Sequence, residues 1–136
     1  VRAAHPHTPE EGTPARAGHP ETLSAVTLAC ADLDRSVRFY TDLGFSLRDG
    51  SHSGEFATFC LGGAFLNLQL DPSFLPGRTW GRVIVWVDDV DATYHRALLS
   101  GHTPDFAPED APWGERYFHL RDPDGHELSF ARPVAH

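Results

Sequence analysis

The chain has no lysine and no methionine, and isoleucine occurs only at Ile84. All 11 basic residues are arginine, set against 19 acidic ones, for a net charge of −8. With the abundance of alanine, glycine, proline and arginine, these absences point to a GC-rich coding sequence, so composition partly reports the genome. There is no basic run or stripe, and a polyanion would have to bind against the net field, which excludes nucleic acid as a partner. No apolar stretch approaches the roughly 20 residues that a membrane span needs. Cysteine is nearly absent too. Cys30 and Cys60 are too few for a zinc or disulfide framework, and no basic start followed by an apolar centre and a small-residue cleavage site marks an exported chain. A reduced, cytoplasmic protein is the expectation.

What is present begins at about residue 23. Residues 1–22 carry Pro6, Pro9, Pro14 and Pro20 with His5, His7 and His19 but no apolar run, and read as a flexible leader. Residues 23–132 are enough for one domain with its own core. Of the charges, 16 acids and 9 arginines fall in that stretch, so an imbalance of −7 belongs to the domain. A negative surface favours neutral or cationic ligands, although solubility alone explains such a surface as well.

The domain contains a repeat. Asp32-Leu33-Asp34-Arg35-Ser36-Val37 aligns with Asp89-Val90-Asp91-Ala92-Thr93-Tyr94 at an offset of 57, which carries Gly44 onto Gly101. Each copy reads as a helix with an aspartate N-cap and a terminating glycine. Leu33, Val37, Tyr40 and Leu43 form the apolar face of the first, and Val90, Tyr94, Ala97 and Leu98 that of the second. A period-two strand precedes each helix, Ser24–Cys30 and Arg82–Val87. Further strands are expected at 45–48, 54–61 and 64–70, then at 103–107, 115–121 and 126–131. The fold class is therefore α+β. Two tandem β-α-β-β-β modules, about 23–71 and 81–132, form a curved, partly closed mixed sheet around a cavity.

The turn Asp122-Pro123-Asp124-Gly125 suits a three-residue hairpin loop with a left-handed glycine and a bulge. That choice sets Phe118 opposite Phe130, Leu120 opposite Leu128 and His119 opposite Ser129, which keeps apolar residues on one face. Sorted by parity, Val26, Leu28, Leu66, Leu68, Val83, Val85, Phe118, Leu120, Leu128 and Phe130 face the helices. The other face holds Phe65, Asn67, Gln69, Arg82, Trp86, Tyr117, His119, Glu127 and Ser129. Aromatic rings gathered among polar groups are expected to line a ligand cavity.

Leu28-Ala29-Cys30-Ala31-Asp32-Leu33-Asp34-Arg35-Ser36, then Phe39-Tyr40 and Leu43-Gly44-Phe45, and Trp113-Gly114-Glu115-Arg116 leading into Asp122-Pro123-Asp124-Gly125, resemble the vicinal oxygen chelate superfamily. This is the group of glyoxalase I, bleomycin resistance proteins and extradiol dioxygenases, and the resemblance covers about 23–132. It implies a homodimer in many members, with modules sometimes exchanged, and in the enzymes a divalent metal held by His, Glu or Gln on the first and last strand of each module. Those four positions correspond here to Ala25, Asn67, Arg82 and Ser129. Alanine has no donor atom and arginine is a permanent cation, while Asn and Ser offer only neutral oxygens. No metal and no other cofactor is expected. The resemblance is nearest to the metal-free bleomycin-resistance-like branch, which implies a binder of a small, planar aromatic ligand such as an antibiotic. The candidate ligand-binding residues are Asn67, Gln69, Arg82, Trp86, Trp113, Tyr117, His119, Glu127 and Ser129, with no catalytic residue assigned. The alternative is an enzyme of the same fold, with His119 and Glu127 recruiting a metal or His119 acting as a base beside Arg82.

Overall fold

A computed structural model describes residue 18 and residues 20–48, 53–77 and 81–134; nearly all of the expected leader lies outside the described residues. The first module is β1 (Ala25–Cys30), α1 (Leu33–Asp42), β2 (Ser46–Leu47), β3 (Phe56–Leu61) and β4 (Ala64–Leu70). The second is β5 (Arg82–Trp86), α2 (Val90–Leu99), β6 (Glu109–Asp110), β7 (Glu115–Arg121) and β8 (Glu127–Pro133). Each module forms its own four-stranded mixed sheet, in the orders β1-β4-β3-β2 and β5-β8-β7-β6. The first strand pairs parallel with the last, and the other pairs are antiparallel. The expected curved surface is thus built from two separate sheets that do not close into a barrel.

Local sequence explains both helices. The Asp32 carboxylate accepts from the Arg35 N–H at 3.1 Å, and the Asp89 carboxylate from the Ala92 N–H at 2.9 Å, so the repeat's two N-caps work alike. Gly44 and Gly101 follow the C-caps at φ +93° and +85°, where a Cβ would be strained. Two expectations need correction. Leu98 is about half exposed, at 45%, and it is Val90 and Ala97 that are buried on α2. The strand expected at 103–107 is irregular backbone, and β6 lies further on, with Glu109 opposite Tyr117. Pro104 and Pro108 flank that stretch and cannot donate to a ladder, which leaves the Asp105 N–H bonded to the His119 carbonyl at 2.9 Å.

The helix-facing sides of both sheets meet in one core. Phe59, Leu66, Leu68, Phe118, Leu120, Leu128 and Phe130 are almost wholly buried, and each such side chain contributes about 1.5–3 kcal/mol through lost apolar exposure. The hairpin register is as expected, with Phe118 opposite Phe130 and Leu120 opposite Leu128, and Gly125 sits at φ +90°.

The turn does more than set register. Its two aspartates are buried and grip the first module. The Asp124 carboxylate accepts from the Ala31 N–H at 2.9 Å and the Ser36 hydroxyl at 3.0 Å, and the Asp122 carboxylate accepts from the Tyr40 hydroxyl at 2.8 Å. Burial pushes the Asp122 carboxyl up and the Tyr40 hydroxyl well up, the latter reinforced by the Asp122 charge. On the same seam the His126 ring nitrogen lies 2.7 Å from the Ala29 carbonyl, while its ring stacks on Phe74.

Candidate functional site

The candidate residues divide between the two outward sheet faces. On the first sheet, Asn67 sits between Thr58, which donates to its side-chain oxygen at 2.8 Å, and Thr27, which accepts from its amide at 3.2 Å. Gln69 stands exposed two positions along, opposite Ala29. The other seven belong to the second sheet or its entry loop, and its registers explain their grouping. Arg82 opposes Glu127, which opposes Arg121; Ile84 opposes Ser129, which opposes His119; Trp86 opposes Ala131, which opposes Tyr117. Three successive rows therefore run from charged through mixed to aromatic.

The aromatic end is continuous. The Trp113 ring lies 5.5 Å from that of Tyr117, which lies 5.2 Å from His119, and Phe106 touches both at 5.4 and 5.1 Å. Trp86 stands on the same face two strands away, across Ala131, and is 63% exposed, and Ile84 on the same strand is 60% exposed. Carboxylates rim the shelf. Glu115 accepts from the Trp113 indole N–H at 3.2 Å and Glu109 from the Tyr117 hydroxyl at 3.3 Å. Local desolvation, then the Glu109 charge, raises the Tyr117 hydroxyl.

At the charged end, Glu127 is bound by two guanidiniums. Arg82 donates to one oxygen through Nε, and Arg121 to the other at 3.3 Å. Arg121 also lies 3.7 Å from Asp105. Burial and the Arg82 cation hold the His119 imidazole below its ordinary value, against the opposing pull of Glu127 and Asp105. A neutral imidazole is the form a general base needs. Its Nδ1 is however 3.9 Å from Glu127, too far for the hydrogen bond that would orient it.

Two sets of residues can be tested against a divalent metal. Of the four positions that the resemblance supplies, Ala25 has no donor, Asn67 is occupied by its threonines, Arg82 is cationic and ion-paired, and Ser129 is a buried neutral hydroxyl. They do not fit a transition metal. Asp105, His119 and Glu127 offer ligand atoms within 4.8 Å of one another. A cation there would have to displace Arg82 and Arg121 from the same carboxylates, so this set does not fit well either.

Between the unpaired edges of β1 and β5 runs a cleft of about 510 Å³, lined by Thr27, Ala29, Arg82, Ile84 and Glu127 among others. It continues past Ala25, Phe65, Ile84 and Trp86 in a space of about 370 Å³. Of the nine candidate residues, Arg82, Trp86 and Glu127 line these spaces; Asn67 and Gln69 stand on the first sheet, and Trp113, Tyr117, His119 and Ser129 on or beside the second, outside them. Sequence reasoning missed Phe106, Asp105 and Arg121. Arg121 follows from the hairpin register, but the first two lie in the stretch expected to be a strand, and only the crossing of that stretch over His119 brings them in.

A family model for the Glyoxalase/Bleomycin resistance protein/Dioxygenase superfamily matches residues 22–130. The chain belongs to this superfamily. The solved structure of TioX from Micromonospora sp. ML1 is 31% identical in sequence, with a TM-score of 0.67, over 84% of this chain and all of TioX. A glyoxalase/bleomycin resistance protein/dioxygenase from Nocardioides superposes with a TM-score of 0.71 at 25% identity, over 88% of each chain. The bleomycin resistance determinant encoded on transposon Tn5 shares the fold at 23% identity and a TM-score of 0.70, over 85% of this chain and all of its own. Among curated proteins, an uncharacterized protein of Mycobacterium bovis is 50% identical over 58 residues. That match spans 43% of this chain and only 38% of the relative. None of the described helices is long and apolar enough to cross a membrane.

Proposed function

We propose that this superfamily member is a metal-free binding protein that takes a planar aromatic molecule, neutral or cationic, on the outward face of its second sheet. The observation that carries the reading is the continuous shelf of Trp113, Tyr117, Phe106 and His119 with Glu109 and Glu115 at its rim, and the exposed Trp86 across Ala131 on the same face. Such a shelf stacks a flat ring system and favours positive charge on it. Antibiotics are the ligand class we place first, because the superfamily includes bleomycin resistance proteins. The poor fit of both candidate donor sets supports binding without a metal.

The working form we propose is a homodimer. Leu23, Ile84 and Trp86 are exposed along the two open sheet edges, a surface that a second copy would cover. Two free thiols, Cys30 and Cys60, suit a reducing cytoplasm.

Tryptophan fluorescence titration with bleomycin and with simple planar cations tests the ligand class. Saturable quenching is expected, with Trp86→Ala weakening affinity about tenfold, the loss of one aromatic contact of about 1.4 kcal/mol. Absence of quenching by every compound refutes the reading. A stoichiometric transition metal in protein purified without chelators refutes its metal-free part, and a monomer in analytical ultracentrifugation refutes the dimer.

A further inference from the structure

α1 of the first module and the 100–103 loop of the second enclose a cleft of about 490 Å³, which Arg121 also lines although its guanidinium is already paired with Asp105 and Glu127. Arg35 and Arg38 stand one turn apart on α1 and both line it. Arg35 reaches Asp124 only at 3.5 Å and is about half exposed, so most of its donors face solvent. Arg38 has no carboxylate within ion-pair distance among the described residues. Asp42, the one acid lining the cleft among the described residues, is engaged by the His102 ring at 3.3 Å. The loop contributes the Thr103 hydroxyl, and Phe39 and Leu120 form an apolar floor. In a chain of net charge −8, a concave site where the unspent charge is positive is out of keeping with the surface around it.

We infer that this cleft is a second ligand site, distinct from the aromatic shelf, for a small phosphorylated molecule with an apolar body. Two guanidiniums one helical turn apart present forked donors to separate oxygens of a phosphoryl dianion, a geometry that a single carboxylate matches less well. Phe39 and Leu120, 4% and 1% exposed, back the cleft and offer the apolar part only a small contact, so the guanidiniums carry most of the affinity. Because the site draws residues from both modules, occupancy would also tie them together and raise thermal stability by linkage.

Phenyl phosphate is the probe, with phenol and benzoate as controls that lack the phosphoryl group. Calorimetric titration is expected to show one phenyl phosphate per chain, with a higher Tm, while phenol and benzoate bind at least tenfold more weakly. Arg38→Ala is exposed and should fold normally, yet lose at least tenfold in affinity, the loss of one charge-assisted contact. Arg38→Glu should abolish binding. Amide resonances of Gly101, His102 and Thr103 should shift on titration, whereas the fluorescence of Trp86 and Trp113 should not, since among the described residues no tryptophan lines the cleft. No binding by the unaltered protein at millimolar phenyl phosphate overturns the inference. So does equal binding of benzoate, or an Arg38→Ala variant that binds like wild type. None of these outcomes bears on the aromatic shelf.

Discussion

Replacing Asp124 by alanine should cost this protein about 2–6 kcal/mol of stability, although the residue is a loop aspartate in a hairpin turn. Its carboxylate is 0% exposed and receives the Ala31 N–H, the Ser36 hydroxyl and, more distantly, Arg35. Asp124→Ala leaves the first two donors buried without an acceptor, at about 1–3 kcal/mol each. Arg35 adds little, because half-exposed ion pairs are worth under about 1 kcal/mol. The sum is about 2–6 kcal/mol, against the roughly 5–15 kcal/mol that holds a domain of this size together. Asp124→Asn keeps one acceptor oxygen and the shape, so about 1–2 kcal/mol is expected. Ser36→Ala should cost about 1–2 kcal/mol, and the double variant Ser36→Ala with Asp124→Ala should cost less than the sum, since one contact is lost twice. Urea unfolding followed by far-UV circular dichroism reads these as shifts of the midpoint, with the slope showing whether the modules still unfold together. A loss below about 1 kcal/mol for Asp124→Ala would refute the view that this turn clamps the two modules.

Five further outcomes follow from the same geometry. Gly125→Ala places a Cβ 2.8 Å from the backbone nitrogen of Gly77 at a φ of +90°, so strain and a backbone clash add to about 2 kcal/mol or more. Gly44→Ala meets only the tip of the Arg96 side chain, which can swing away, and should cost about 1 kcal/mol by thermal or urea unfolding. Thiol titration should find Cys60 reacting quickly in the native protein and Cys30 only after unfolding, because burial and then the Asp124 charge push the Cys30 thiol up to about 11. The His119 imidazole titrates below its ordinary 6.5, so on acidification the unfolded chain takes up that proton first, and this contribution to stability declines as pH falls below about 6.5. Arg82→Ala removes the second of the causes and should raise the His119 value in an NMR titration without restoring it fully, since burial remains; no rise would show that Arg82 does not act on it.

Much of this architecture is local and therefore written along the chain. Each aspartate cap, terminating glycine and period-two run acts through neighbours a few residues away, which is why both helices and most strands could be placed. The turn 122–125 fixed the β7–β8 register, and register in turn determined that Arg82, Trp86, Tyr117, His119 and Glu127 share a face. The same local logic failed at 103–107, where two prolines forbid the ladder that alternation suggested.

Only the tertiary structure decided what those residues do to one another. Nothing in the spacing shows that Asn67 is tied up by Thr27 and Thr58, or that Arg82 and Arg121 converge on one glutamate, because side-chain partners across strands depend on how far each chain reaches. The buried roles of Asp122 and Asp124 were equally invisible, since their partners lie more than 80 residues away in the other module. The basic cleft between α1 and the 100–103 loop has the same origin. The near absence of some residue types, and the excess of acid over arginine, bounded what the protein could bind; where the arginines stand once the modules pack decides which anions it can hold.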